Sequence, residues 1–247
     1  MSTADATSTA ATDATSTGVA PDVPAPVDPR FADAFGSWTP RAVVFDCDGL
    51  LLDTESVWER TQARLLEEFG GALTPELKAQ GHGVTIEVAA QMIADACGVS
   101  YDLVLPRTRE RFAHDVGEDV TVKPGAREVL EATSARVPIA CASNSWYTLL
   151  QDKLGVAGLL DMFTAVEAAD TVTRGKPFPD IYLAGVRDLG VAPADALAFE
   201  DSPVGAQAAR DAGLRLITVP EEGEPPEADL ALTTLVDAGL LDWIATW

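Results

Sequence analysis

From Arg41 onward, short apolar runs alternate with stretches of helical spacing, and this alternation constrains the chain more than any other feature. The runs are Ala42 to Phe45, Pro138 to Ala142, Thr164 to Glu167, Leu197 to Phe199 and Leu216 to Val219. Strands alternating with helices predict an α/β fold, a doubly wound, mostly parallel sheet covered on both faces. In such sheets ligands sit beyond the carboxyl ends of the strands. The alternation breaks between Thr54 and about Val120, where only helical periodicity is seen. There Val57 to Phe69, Thr85 to Cys97 and Asp102 to Val116 predict a helical bundle inserted after the first strand.

Several strand ends and helix starts carry polar residues of one chemical character. The first run closes in Asp46-Cys47-Asp48-Gly49. Side chains at i and i+2 of an extended chain share a side, so Asp46 and Asp48 are expected to converge on one ligand. Two acids at the end of a buried strand are costly unless a cation or substrate uses them. The second run ends in Ser143-Asn144-Ser145 ahead of a helix, where a hydroxyl and free backbone N–H groups suit a phosphate. Lys176, in Gly175-Lys176-Pro177-Phe178-Pro179-Asp180, precedes a helix predicted from Asp180 to Leu189. A cation at that positive end is easier to explain if it meets an anion. Leu197 to Phe199 closes in Glu200-Asp201, before a helix predicted from Val204 to Ala212 that stops at Gly213.

Taken in this order, Asp46-Cys47-Asp48-Gly49, Ser143, Lys176 and Glu200-Asp201 resemble the four motifs of the haloacid dehalogenase-like hydrolase superfamily. The similarity is greatest to its β-phosphoglucomutase-like branch of small-substrate phosphatases, of which the tag Asp53-Thr54-Glu55 is also typical. It runs from Arg41 to the C-terminus. It implies a Rossmann-like catalytic core at 38–53 and 121–247, and an α-helical cap domain at 54–120 that closes over the substrate. Asp46 would then form an aspartyl-phosphate. Asp48 would protonate the leaving oxygen and deprotonate the attacking water. Asp46, Glu200, Asp201 and the Asp48 backbone carbonyl would hold Mg²⁺. Ser143, the Asn144 N–H and Lys176 would bind the phosphoryl oxygens. Cap residues Trp58, His82, Gly83 and Thr85 are candidates for substrate choice, with Gln62 beside them.

The implied activity is a Mg²⁺-dependent phosphatase of small phosphomonoesters, sugar or polyol phosphates, with a sugar-phosphate mutase as the alternative. Mutases of this branch carry a cap arginine for a second phosphate. Here the corresponding stretch, Gly81 to Ile86, has no arginine or lysine, which favours hydrolysis, although Arg107, Arg109 or Arg111 could supply a cation from another helix. A dehalogenase would lack Asp48 and need no metal, and a non-catalytic binding protein would have no use for the full set of acids.

Composition narrows the class further. The 247 residues carry 39 acidic and 17 basic side chains, a formal charge of −22, and no lysine- or arginine-rich run, which argues against a nucleic-acid partner. Cys47, Cys97 and Cys141 lack metal-ligand spacing and read as reduced thiols. His82 and His114 are the only histidines, and neither has a triad-like context. Residues 1–37 read as a disordered polar tail, rich in Ser, Thr, Ala and Pro, with neither a secretory nor a transit pattern. No apolar stretch is long enough to span a membrane. The expectation is a cytoplasmic monomer acting on a small phosphorylated metabolite.

Overall fold

A computed structural model describes residues 1, 28–81, 84–220 and 223–247. In chain order its helices and strands are α1 (Pro29–Phe35), β1 (Ala42–Phe45), β2 (Leu52–Asp53), α2 (Thr54–Glu68), α3 (Pro75–Gln80), α4 (Ile86–Cys97) and α5 (Tyr101–Asp119). There follow β3 (Thr121–Val122), α6 (Ala126–Ser134), β4 (Ile139–Ser143), α7 (Tyr147–Val156), β5 (Ala165–Ala168) and α8 (Asp180–Asp188). The chain ends with β6 (Ala196–Glu200), α9 (Pro203–Asp211), β7 (Arg215–Thr218), β8 (Leu230–Ala231) and α10 (Ala238–Ile244).

Six strands form one parallel sheet in the order β5-β4-β1-β6-β7-β8. Both faces are covered, which is why β1, β4 and β6 are apolar almost throughout. Alternation divides their side chains between two cores. Val43, Phe45, Ile139, Cys141, Leu197 and Phe199 face α1, α6, α7 and α10, whereas Val44, Ala140, Ala142, Ala196 and Ala198 face α8 and α9. Small strand residues on the second face meet Ala206 and Ala209, so those helices lie close to the sheet. The order reverses at β1, with β4 on one side and β6 on the other. A crevice therefore opens at the carboxyl ends of these three strands.

The helical stretch α2 to α5 has its own core of Leu65, Leu66, Ala90, Ile93, Ala94 and Val104. Its two connections to the sheet run side by side as an antiparallel ribbon, Leu52 opposite Val122 and Asp53 opposite Thr121. The Asp53 side chain caps α2 by accepting the Ser56 N–H at 3.1 Å, which gives the Asp-Thr-Glu tag a structural reason. Helix α5 lies close to α7, bringing the Arg109 guanidinium 5.8 Å from the Trp146 ring centre.

The polar tail expected up to residue 37 ends earlier. Asp28 caps α1, Pro29 occupies its first turn, and Phe31 and Phe35 are buried against Trp243 at ring-centre distances of 4.9 and 4.7 Å. An apolar i, i+4 pair outweighs the polar composition around it. The expectation for residues 2–27 lies outside the described residues. Among the described residues no helix is long and apolar enough to cross a membrane.

Candidate active site

Strand β1 delivers Asp46 to the crevice, and the Asp46 N–H continues the ladder by donating to the Phe199 carbonyl at 2.9 Å. The chain then leaves the strand and turns at Gly49, whose φ is +84°. Only glycine adopts that backbone without strain. It also makes room for a neighbour, since a Cβ at Gly49 would lie 2.0 Å from Asp201 Oδ2.

Asp46 is buried among charges. The Lys176 ammonium bridges Asp46 Oδ1 and Glu200 Oε1, the latter at 2.6 Å, and the lysine side chain is 4% exposed. Burial pushes Asp46 up to about 7; Lys176 opposes this and the charges of Glu200 and Asp48 add to it. Burial, with the charges of Asp46 and Glu200, lifts Asp201 to about 9. Burial works the other way on Lys176, but Asp46 and Glu200 outweigh it and hold the ammonium charged.

Carboxylate oxygens of Asp46, Glu200 and Asp201 lie within 4.8 Å of one another. This oxygen-only set fits Mg²⁺, which takes one or two carboxylates and keeps waters and phosphate oxygens. Glu200 is the least free of the three. Its Oε1 accepts from Lys176 and, at 2.9 Å, from Tyr182. Its Oε2 accepts the N–H groups of Asp201 and Ser202 and the Ser202 hydroxyl, at 2.9, 3.0 and 3.0 Å. Glu200 thus orients the lysine and the Asp201 loop, leaving Asp46 and Asp201 as the available donors.

Asp48 lies near enough to Asp46 for its charge to raise the Asp46 carboxyl, but it takes a different set of partners. Its carboxylate turns towards β4 and α7, where Ser143 Oγ donates to Oδ2 at 2.6 Å, Ser145 Oγ donates to Oδ2 at 3.2 Å and the Lys153 ammonium holds Oδ1. Burial opposes its charge, but Lys153 and the hydroxyls of Ser143 and Thr54 prevail and hold it at about 2. Lys153 was not foreseen. It occupies an inward position of α7 between Leu150 and Leu154, and a lysine inside an apolar stripe was the available signal.

Ser143 stands fully buried at the end of β4, accepting the Ser145 N–H at 3.0 Å. Asn144 clamps the neighbouring loop: its Oδ1 accepts the Lys176 N–H at 2.8 Å and its Nδ2 donates to the Lys176 carbonyl at 3.1 Å. In the helical insert, Trp58 Nε1 donates to the Gly81 carbonyl at 3.3 Å and its ring meets Phe112 edge-on, while Thr85 caps α4. Both hold the insert's own backbone. His82 and Gly83 lie outside the described residues. Cys47, Cys97 and Cys141 are free thiols.

The haloacid dehalogenase-like hydrolase family model matches residues 43–219, which span this whole crevice. The phosphorylated carbohydrates phosphatase of Thermotoga maritima is 32% identical over 180 residues, covering 72% of this chain and 83% of that protein. Hexitol phosphatase B of Escherichia coli is 30% identical over 215 residues, covering 81% and 96% respectively. Among solved structures, a Thermotoga maritima protein provisionally assigned as a β-phosphoglucomutase superposes with a TM-score of 0.73 at 27% identity. It covers 83% of this chain and 99% of its own.

Proposed function

The chain belongs to the haloacid dehalogenase-like hydrolase family, and on that premise we propose that it is a Mg²⁺-dependent phosphatase of small phosphomonoesters, sugar or polyol phosphates in particular. The observation that carries this is the meeting of Asp46, Lys176, Glu200 and Asp201 at the ends of β1 and β6, across from Ser143 at the end of β4.

Asp46 attacks phosphorus and forms an aspartyl-phosphate, dividing one hard displacement into two easier ones. Asp48, held ionised in the substrate-free chain by Lys153, gains a proton when an anionic phosphate binds beside it, gives that proton to the leaving oxygen and then takes one from the water that attacks next, a role that contributes about 10²–10⁴-fold. The Ser143 hydroxyl, the Asn144 N–H and Lys176 receive the phosphoryl oxygens, and Asn144 also fixes the loop that carries Lys176. Asp46 and Asp201 would hold Mg²⁺, which would supply positive charge to offset the repulsion between nucleophile and phosphate. The insert serves as a cap over the crevice, where closure limits water.

A mutase is the second reading, supported by the structural likeness to a provisionally assigned β-phosphoglucomutase. It requires a cation for a second phosphate. Arg107 already pairs with Glu68 and Glu110, and Arg109 with Glu87. Arg111, whose Nε is buried without a hydrogen-bond partner, is the cation left to that reading, and hydrolysis is preferred because the two relatives named above at 30% identity or more are phosphatases. The test is phosphate release from a panel of sugar, polyol and nucleotide monophosphates with Mg²⁺ or with chelator. Chelator-sensitive release that Asp46→Asn abolishes is the expected result. Asp46→Asn turning over at the wild-type rate would overturn the mechanism. A silent panel followed by conversion of β-glucose 1-phosphate with a bisphosphate primer would make it a mutase.

A further inference from the structure

The Lys153 side chain is 1% exposed and pairs with one carboxylate, that of Asp48. Burying an ammonium in an apolar helix stripe is costly, and a Met or Leu between Leu150 and Leu154 would pack there without that cost. The geometry of its partners accounts for a lysine instead. Its Nζ donates to Asp48 Oδ1 and, at 2.7 Å, to Ser145 Oγ, while Ser145 Oγ donates to Asp48 Oδ2. Lysine, serine and carboxylate close a ring that holds both oxygens of Asp48. These bonds hold the carboxylate in one orientation about its Cβ bond. It stays beside Ser143, away from the Lys176 ammonium that belongs to Asp46.

We propose that Lys153 is a positioning residue for Asp48, fixing the acid–base carboxylate over the leaving-group side of the phosphate. This rests on the phosphatase reading above. Without Lys153, Asp48 retains only hydroxyl partners and no longer keeps one orientation. Asp46, Lys176 and Asp201 make no hydrogen bond to Lys153 and keep their places.

That separation predicts a kinetic signature. With p-nitrophenyl phosphate, Asp46 oxygen bonds to phosphorus as the ester P–O bond breaks, and the electron pair leaves on a stable nitrophenolate without a proton. Hydrolysis of the aspartyl-phosphate still needs Asp48. Water oxygen bonds to phosphorus, the Asp46–phosphorus bond breaks and the water proton passes to Asp48. An enzyme with a misplaced Asp48 therefore completes the first step with this ester and stalls at the second.

The experiment compares wild type, Lys153→Met and Lys153→Arg as full chains with Mg²⁺. Lys153→Met is expected to lower kcat on a sugar or polyol phosphate by about 10²-fold or more, with KM within threefold. It is also expected to show a nitrophenolate burst of one equivalent per enzyme with p-nitrophenyl phosphate, and Lys153→Arg should restore part of the rate. Folded Lys153→Met with kcat within threefold of wild type, or with kcat and KM both impaired and no burst, overturns the inference. If Lys153→Met does not fold, Ser145→Ala opens the same ring and is judged by the same burst. Wild type that releases no phosphate from any ester fails the phosphatase reading itself, an outcome visible before any variant is made.

Discussion

Replacing Gly49 by alanine separates two effects that a single loss of activity would confound. The residue has φ of +84°, so any side chain there is strained, at about 1–2 kcal/mol. Its built Cβ would also lie 2.0 Å from Asp201 Oδ2 and 3.1 Å from Asp201 Cγ. Ordinary contact begins near 3.5 Å, so the carboxylate has to withdraw by roughly 1.5 Å. Asp201 is one of the two donors available to a cation, and a displacement of this size costs about 10²-fold in rate. Gly213 provides the control. Its φ is +85°, and the nearest atom to its Cβ is Pro193 Cβ at an unstrained 3.8 Å. Gly49→Ala and Gly213→Ala should therefore lose similar stability in thermal or urea unfolding. Only Gly49→Ala should lose phosphate release, together with a weaker response to Mg²⁺ in a titration. Equal activity in the two variants, with wild-type Mg²⁺ half-saturation in Gly49→Ala, would refute the placement of Asp201 in the cation site.

Phe31→Ala should lower stability by about 3–5 kcal/mol, seen as a Tm roughly 10 °C lower, because the ring is fully buried on Trp243; an unchanged Tm would detach α1 from the core. The acid cluster gives a pH test. Asp46 and Asp201 sit at about 7 and about 9, above their ordinary 3.8, so the folded chain binds more protons than the unfolded one between pH 4 and 9. Stability with chelator should therefore fall as pH rises through that window. Mg²⁺ competes with those protons, so the Tm gain on adding it should grow from pH 6 to pH 8.5. A gain that is flat or shrinks with pH would remove the cluster as the binding site.

The strand ends were legible because they need no tertiary information. An apolar run bounded by Asp46, by Ser143 or by Glu200 and Asp201 announces both the strand and what it carries. Lys176 was legible through its place before a helix. Lys153 was not, because a single lysine in a helix is usually solvated. Only the sheet shows that its stripe faces Asp48. The β2–β3 ribbon joins two-residue strands nearly seventy positions apart, and no local pattern marks such a pair. Helix α1 was readable in principle, from the Asp28 cap, Pro29 and the Phe31–Phe35 spacing, but composition averaged over the whole tail hid it.

Asp46 and Asp48 take different partners for a reason that lies in the backbone. Residues i and i+2 share a side only while the chain stays extended, and β1 ends at Phe45. Beyond it the turn at Gly49 frees Asp48 to face β4 and α7 while Asp46 stays with β6. Each acid then acquires its own buried ammonium, Lys176 for Asp46 and Lys153 for Asp48. In the proposed mechanism Asp46 would bond phosphorus and Asp48 would move protons. The same arrangement would reconcile the chain's net charge of −22 with the anionic substrate proposed for it. Repulsion from distant surface acids is screened beyond about 8 Å at physiological ionic strength. At the proposed site a bound phosphate would meet Lys176, the Ser143 hydroxyl and a cation on Asp46 and Asp201 at close range, in a buried setting where charge is screened least. The overall acidity therefore bears on how fast a phosphate ester arrives, and the buried charges on what happens to it once there.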